Sequence, residues 1–144
     1  MGVHGGAGES SIAALDETWR ATGHMWPAQG TVTVPVLLVT RSSARGLLAA
    51  QAAARQWASG GVPGVDLMGL VIVADAPGRQ PRALRDLARV VSGGVPRVWR
   101  VPWIEAWRLG EPPTVSHGHQ LAGLARDLRT LVAQRAEHKR RNDA

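Results

Sequence analysis

Apolar positions along this chain fall into two kinds of run. Three are short and nearly continuous: Val34-Pro35-Val36-Leu37-Leu38-Val39-Thr40, Leu67-Met68-Gly69-Leu70-Val71-Ile72-Val73-Ala74, and residues 95–101. Unbroken runs of that length suit parallel strands buried on both faces. The others recur at spacings of three and four. Ile12, Leu15 and Trp19 predict a helix over 10–20, and Leu47, Leu48, Ala52 and Gln56 one over 44–59. Leu84, Leu87, Val90 and Val91 mark a third helix that ends near Ser92. Leu121, Leu124, Leu128 and Leu131 mark a last one over 119–137.

Punctuation agrees with this reading. Ser42 or Ser43 can cap the second helix, Gly60-Gly61 ends it, and Gly93-Gly94 closes the third. Pro81 sits where a first helical turn tolerates proline. Residues 21–30 read as loop, 103–109 as one or two helical turns, and Glu111-Pro112-Pro113 as a linker. Strands alternating with helices over short connections predict a small three-layer α/β/α domain with a parallel sheet of about three strands. In such a sheet the ligand rim lies at the carboxyl ends of the strands. That rim takes in Thr40-Arg41-Ser42, Ala74-Asp75-Ala76 and Pro102-Trp103. The expected division is residues 1–113 as the α/β unit and 114–144 as an amphipathic helix with a basic tail.

The chain opens on a candidate site, Val3-His4-Gly5-Gly6-Ala7-Gly8-Glu9-Ser10-Ser11. Closely spaced glycines let successive backbone N–H groups converge on a phosphate at a helix start. A phosphate loop also needs a lysine, and here Glu9 stands in its position; the one lysine, Lys139, lies in the tail. Two unit charges about 4 Å apart interact by roughly 1 kcal/mol in water and about 4 kcal/mol near a protein surface. A reversal of charge therefore costs one to several decades of phosphate affinity if Glu9 faces the pocket. The alternative is that Glu9 points away and caps its own helix, with Ser10 or Ser11 as N-cap.

Composition narrows the field. At 144 residues with no cysteine, the chain suits a single modest core without disulfides or thiol chemistry. No apolar stretch is long enough for a membrane helix, no signal peptide opens the chain, and a cytoplasmic address is expected. The net charge of +6 comes almost wholly from arginine and favours weak contact with nucleic acid, through the arginines and the tail His138-Lys139-Arg140-Arg141. Six tryptophans stand in for absent Phe and Tyr. Trp99, Trp103 and Trp107 beside arginines make either a stacking surface or ordinary core. His117 and His119 lack a third ligand for a metal, so no metal site is expected.

The order of these pieces resembles the ParA/MinD-like branch of the P-loop ATPases. Residues 4–11 are similar to that branch's Lys-Gly-Gly-Val-Gly-Lys-Thr-Thr, with His4 and Glu9 at its two lysines. Val34–Thr40 with Ser42-Ser43-Ala44 resembles its "Val-Thr-x-x-x-x-Ser" turn into a helix, and Leu70–Ala74 its strand near the base. Residues 98–103, with Glu105 and Gly110-Glu111-Pro112-Pro113, look like its late "strand, Pro-aromatic-acid, Gly-x-Pro" segment. Two departures stand out: no aspartate ends a strand between the first helix and Val34, and no strand precedes the loop. The second raises the expectation that the start at Met1 is mis-called.

Three functions follow as expectations. In the first, the domain no longer hydrolyses nucleotide and acts as a binding or accessory protein with an unidentified protein partner. In the second, it is a nucleotide-binding ATPase of a partition or mobile-element system, using ATP with magnesium. The resemblance then assigns Gly5, Gly6, Gly8, Glu9, Ser10 and Ser11 to the phosphates, Ser10 to the metal, and Asp75 and Arg79 to the rim, with Arg79 or a partner's arginine in place of the lysine. In the third, it is a basic DNA-associated module. The leucine stripe of the last helix could zip two chains into a dimer, although docking on the domain's own sheet fits its length better.

Overall fold

A computed structural model describes residues 1–27 and 30–144. The three continuous apolar runs form one parallel sheet in the order β1 (Val34–Arg41), β2 (Val65–Val73), β3 (Val98–Val101). Because β1 and β2 are buried on both sides, successive residues alternate between two cores. Leu38, Leu67, Leu70 and Ile72 face α2 (Ala44–Ala58) and α3 (Arg82–Ser92). Val39, Met68, Val71, Val73 and Val101 face α1 (Glu9–Ala13) and α5 (His119–Asn142). The protein is thus a small α/β domain with helices on both faces of an open three-stranded sheet. No described helix is long and apolar enough to cross a membrane.

The alternation slips once. Leu67 and Leu70 share a face although they lie three positions apart, because the β1–β2 register shifts opposite Val36 and Leu37, where β2 carries Gly69. An extra residue in one strand is a bulge, and Gly69, at φ 152°, takes a backbone conformation that side chains avoid.

Several expected boundaries move. The first helix spans only Glu9–Ala13, and its N-cap is Gly8, at φ 94° with no side-chain cap, not Ser10 or Ser11. Leu15 and Trp19 still join the α1/α5 core, carried there by the turn that follows. Strand β3 starts at Val98 instead of 95, and α5 runs five residues beyond 137. The strand missing before the loop is represented by a single parallel bridge: Gly2 lies opposite Val39, and the Val39 N–H donates to the Met1 carbonyl at 2.9 Å. A four-residue helix, α4 (Glu105–Arg108), occupies the 103–109 segment.

The leucine stripe of α5 lies on the chain's own sheet, with Leu121, Leu124 and Leu128 fully inside the core. Asp16 fastens the helix from the side. Its carboxylate accepts from the Thr18 hydroxyl at 2.6 Å, the Thr18 N–H at 2.9 Å and the Arg129 Nε–H at 2.7 Å. The Thr18 bonds first, and Arg129 with them, pull its pKa from 3.8 to about 2. A carboxyl depressed on folding stabilises the protein above its ordinary pKa and loses that contribution as the pH falls through the folded value. The urea midpoint is therefore expected to decline between about pH 4 and pH 2, and less steeply in Asp16→Asn. Equal slopes in the two proteins would contradict this.

Candidate functional site

The glycine loop sits at the carboxyl end of the sheet, against the ends of β1 and β2. Its conformation depends on Gly6 and Gly8, both at positive φ (74° and 94°), which lets the chain turn directly from the Gly2–Val39 bridge into α1. The N–H groups of Gly5, Gly6, Gly8, Glu9, Ser10 and Ser11 find no acceptor among the described residues. The hydroxyls of Ser10 and Ser11 make no hydrogen bond there either. A cluster of unpaired N–H groups is a partial positive charge.

Glu9 does not face that cluster. Its carboxylate turns back toward the sheet, accepts the Thr22 N–H at 2.6 Å and lies 3.6 Å from the Met1 amine, which donates to the Leu37 carbonyl at 2.8 Å. Burial lowers the pKa of that amine, and Glu9 works in the opposite direction. The expectation that Glu9 caps its own helix is corrected: it secures the loop after α1 instead. The reason is its neighbour at position 22, whose backbone N–H would otherwise be left unpaired in a half-buried place.

The cation at the loop is Arg41, the last residue of β1. Its Nε–H donates to the Gly6 carbonyl at 3.0 Å and its Nη1–H to the Ala74 carbonyl at 3.1 Å. The guanidinium is half-buried and lies beside Gly8, where an added Cβ would come 3.6 Å from Nη2. Burial pushes its pKa down and the Asp75 charge pushes it back up. No carboxylate among the described residues forms an ion pair with it. An arginine in this setting is a ready partner for a small anion.

His4 and Gly46 hold Arg41 in place. The Arg41 backbone N–H donates to His4 Nε2 at 3.0 Å, and His4 Nδ1 lies 2.8 Å from the Gly5 carbonyl. Gly46 lets α2 start against this cluster: a Cβ there would come within 2.8 Å of His4 Nε2 and 2.7 Å of Thr40 Oγ1. Ser43 caps α2 by accepting the Gly46 N–H at 3.1 Å, as the sequence predicts.

The other rim residues divide. Asp75 joins the site: the Ser42 hydroxyl donates to its Oδ1 at 2.6 Å and accepts its N–H at 3.1 Å, and Gln80 donates to the Ser42 carbonyl at 3.0 Å. Arg79 does not join it. It is exposed in the turn after β2 and makes no hydrogen bond or ion pair among the described residues. The sequence places Arg41 on the rim but gives no signal that it, and not Arg79, reaches the loop. That follows only from β1 ending beside Gly6.

Most of the tryptophans serve packing. Trp19, Trp99 and Trp107 pack against the α1/α5 core, and Trp26 and Trp57 against the opposite one. Trp103 alone stays at the rim, its Nε1–H on Glu105 at 2.7 Å. Among the described residues no three metal-ligating side chains converge. No curated protein and no solved structure matches the chain. Residues 1–121, which include the loop, the sheet and the start of α5, match the model described as "Family of unknown function (DUF6668)", and the chain belongs to that family.

Proposed function

We propose that this chain is a ParA/MinD-like phosphate-loop domain that has lost hydrolysis and acts as a binding or accessory protein. The observation that carries the reading is the exchange of charges at the loop. The carboxylate in the lysine's position is spent on Thr22, and the nearby cation, Arg41, is fastened to the Gly6 and Ala74 carbonyls. Asp75, the rim carboxylate, accepts the Ser42 hydroxyl. A cytoplasmic address, an unidentified protein partner and weak nucleic-acid contact through the basic tail go with this reading.

A second reading rests on the same arginine. Arg41 without a carboxylate partner, next to unpaired N–H groups, is a donor set that fits a phosphate. On that reading Arg41 and the N–H groups of Gly5, Gly6 and Gly8 hold the phosphates of ATP, with the Ser10 hydroxyl beside magnesium.

Thermal unfolding with millimolar ATP–Mg²⁺ separates the two. A ligand present at its own Kd adds only about 0.4 kcal/mol, so a shift under roughly 1–2 °C means no useful affinity. The first reading expects that small shift in the wild type and no phosphate release. A shift of several degrees that vanishes in Arg41→Ala selects the second. Sustained phosphate release would overturn the first.

A further inference from the structure

The basic charge of this chain is unevenly spread. Residues 76–104 hold six of its 17 basic side chains and one of its 11 acidic ones, a net +5. The other 115 residues together carry only +1. The fold gathers this segment at one side of the domain, as the turn after β2, helix α3 and the edge strand β3. We propose that this side is a docking surface for double-stranded nucleic acid, which it grips by the phosphates.

Helix α3 turns its arginines to one face. At about 100° per residue, Arg82, Arg85 and Arg89 fall within a sector of roughly 60°. Leu87, Ala88 and Val91 take the other side, against the sheet. A right-handed β2–α3–β3 crossover, the hand such units take, turns the arginine sector toward β3. Arg100 lies on the same side of the sheet, because its ladder partner Ile72 belongs to the core under α2 and α3. Arg79 and Arg100 are exposed, and neither side chain makes a hydrogen bond or ion pair among the described residues. Asp86, the one carboxylate of the segment, sits between Arg82 at 3.7 Å and Arg89 at 3.2 Å.

Charge density selects the partner. The 11 residues of α3 make a helix about 16 Å long. Over that length a duplex presents on the order of nine phosphates, one per about 1.7 Å, and roughly half of them face one side. An acidic strand offers one carboxylate per about 6.7 Å on a given face, two or three in all. The five arginines match the duplex and exceed the strand. Arginine's planar fork also pairs two oxygens of a single phosphate. A membrane is disfavoured because the apolar side of α3 is used on the sheet and has nothing left to insert.

The tail is the weaker surface. Glu137 and Asp143 offset two of the three cations Lys139, Arg140 and Arg141, and Arg141 pairs with Glu137 at 3.9 Å. The α3–β3 surface works whether or not the glycine loop holds a phosphate, and so goes beyond both readings of the loop.

The test titrates a fluorescent duplex of about 20 base pairs and arbitrary sequence with the full chain, read by anisotropy. Binding at 50 mM salt is expected, weakening several-hundredfold by 200 mM, since each phosphate contact adds about −0.9 to the slope of log K on log salt. Arg79→Gln with Arg100→Gln breaks no side-chain bond of the described fold, which circular dichroism verifies. It should flatten that slope by about 2 and weaken binding at least tenfold. Asp86→Asn should tighten binding at least threefold by freeing Arg82 and Arg89. Lys139→Gln with Arg140→Gln removes the same charge from the tail and should change binding less than threefold. No binding at 50 mM, or equal losses from the two double variants, would overturn the proposal. So would an Asp86→Asn variant that binds no better than wild type. Polyglutamate or phosphatidylserine vesicles that displace the duplex at equal charge concentration would assign the surface to an acidic protein or a membrane, and overturn it as well. None of these outcomes bears on ATP at the loop, whose own test stands apart.

Discussion

Gly69→Ala is expected to lower the unfolding free energy by about 3 kcal/mol, near the upper end of single-residue effects on this domain. Two costs combine. The residue sits at φ 152°, where an alanine is strained. Its added Cβ would also strike the Arg97 carbonyl and come within 2.8 Å of Trp99 Cζ3. Neither neighbour can retreat freely. The Arg97 carbonyl accepts the Leu70 N–H at 2.9 Å, the first bond of the β2–β3 pairing, and Trp99 is held by Asp127 at 3.1 Å.

The bulge also sets which core each side chain of β2 enters. If β2 relieved the clash by straightening, Leu67 and Met68 would exchange faces relative to Leu70 and Val71. Urea denaturation checks the expectation: the midpoint should fall with little change in slope. Gly5→Ala is the control, since Gly5 is exposed and a Cβ there meets nothing within 4 Å. If both variants lie within about 0.5 kcal/mol of wild type, the bulge is not the constraint described here.

Leu124→Ala is expected to cost 2–5 kcal/mol, the range for emptying a buried leucine site that relaxes only partly. Leu124 is fully buried between Leu121 and Leu128 and packs with Val71, Val73 and Val101 of the sheet. At roughly 2–4 °C per kcal/mol for a chain near this size, the melting temperature should drop by about 10 °C. Val132→Ala, about two turns further along α5 and partly exposed, should change it by no more than a degree or two. The contrast separates the two halves of the helix. The first closes the α1/α5 core, and the second, beyond Leu131, is tied to the sheet by the 2.8 Å ion pair of Arg135 with Asp66. Similar losses in both variants would mean that the outer half is as much a part of the core as the inner one.

Both cases mark where pattern reading stops. The apolar run at 67–74 identifies β2, yet a glycine inside it is compatible with either a regular strand or a bulge. Only pairing with β1 and β3 distinguishes them. The spacing of Leu121, Leu124 and Leu128 identifies α5 and its apolar face, and its docking on the sheet follows from that face having no other cover. The first helix fails sooner than the spacing of Ile12, Leu15 and Trp19 suggests. The turn after Ala13 delivers Leu15 and Trp19 to the same core without helical geometry.

At the candidate site the split is sharper. The glycine spacing, the serines and the missing lysine are all readable from residues 4–11. The direction of Glu9 and the place of Arg41 are not. Each depends on partners distant in sequence: Thr22 thirteen residues from Glu9, and Gly6 and Ala74 more than thirty from Arg41.

Local periodicity and glycine or serine punctuation were enough to establish the order of strands and helices, the parallel sheet and the position of the loop at its rim. Those properties arise from burial of contiguous side chains, and contiguity is written in the chain. The bulge at Gly69 and the reversed charge geometry of the loop were settled by packing in three dimensions. Each turns on a backbone or side-chain group meeting, or failing to meet, a partner that the fold alone brings near.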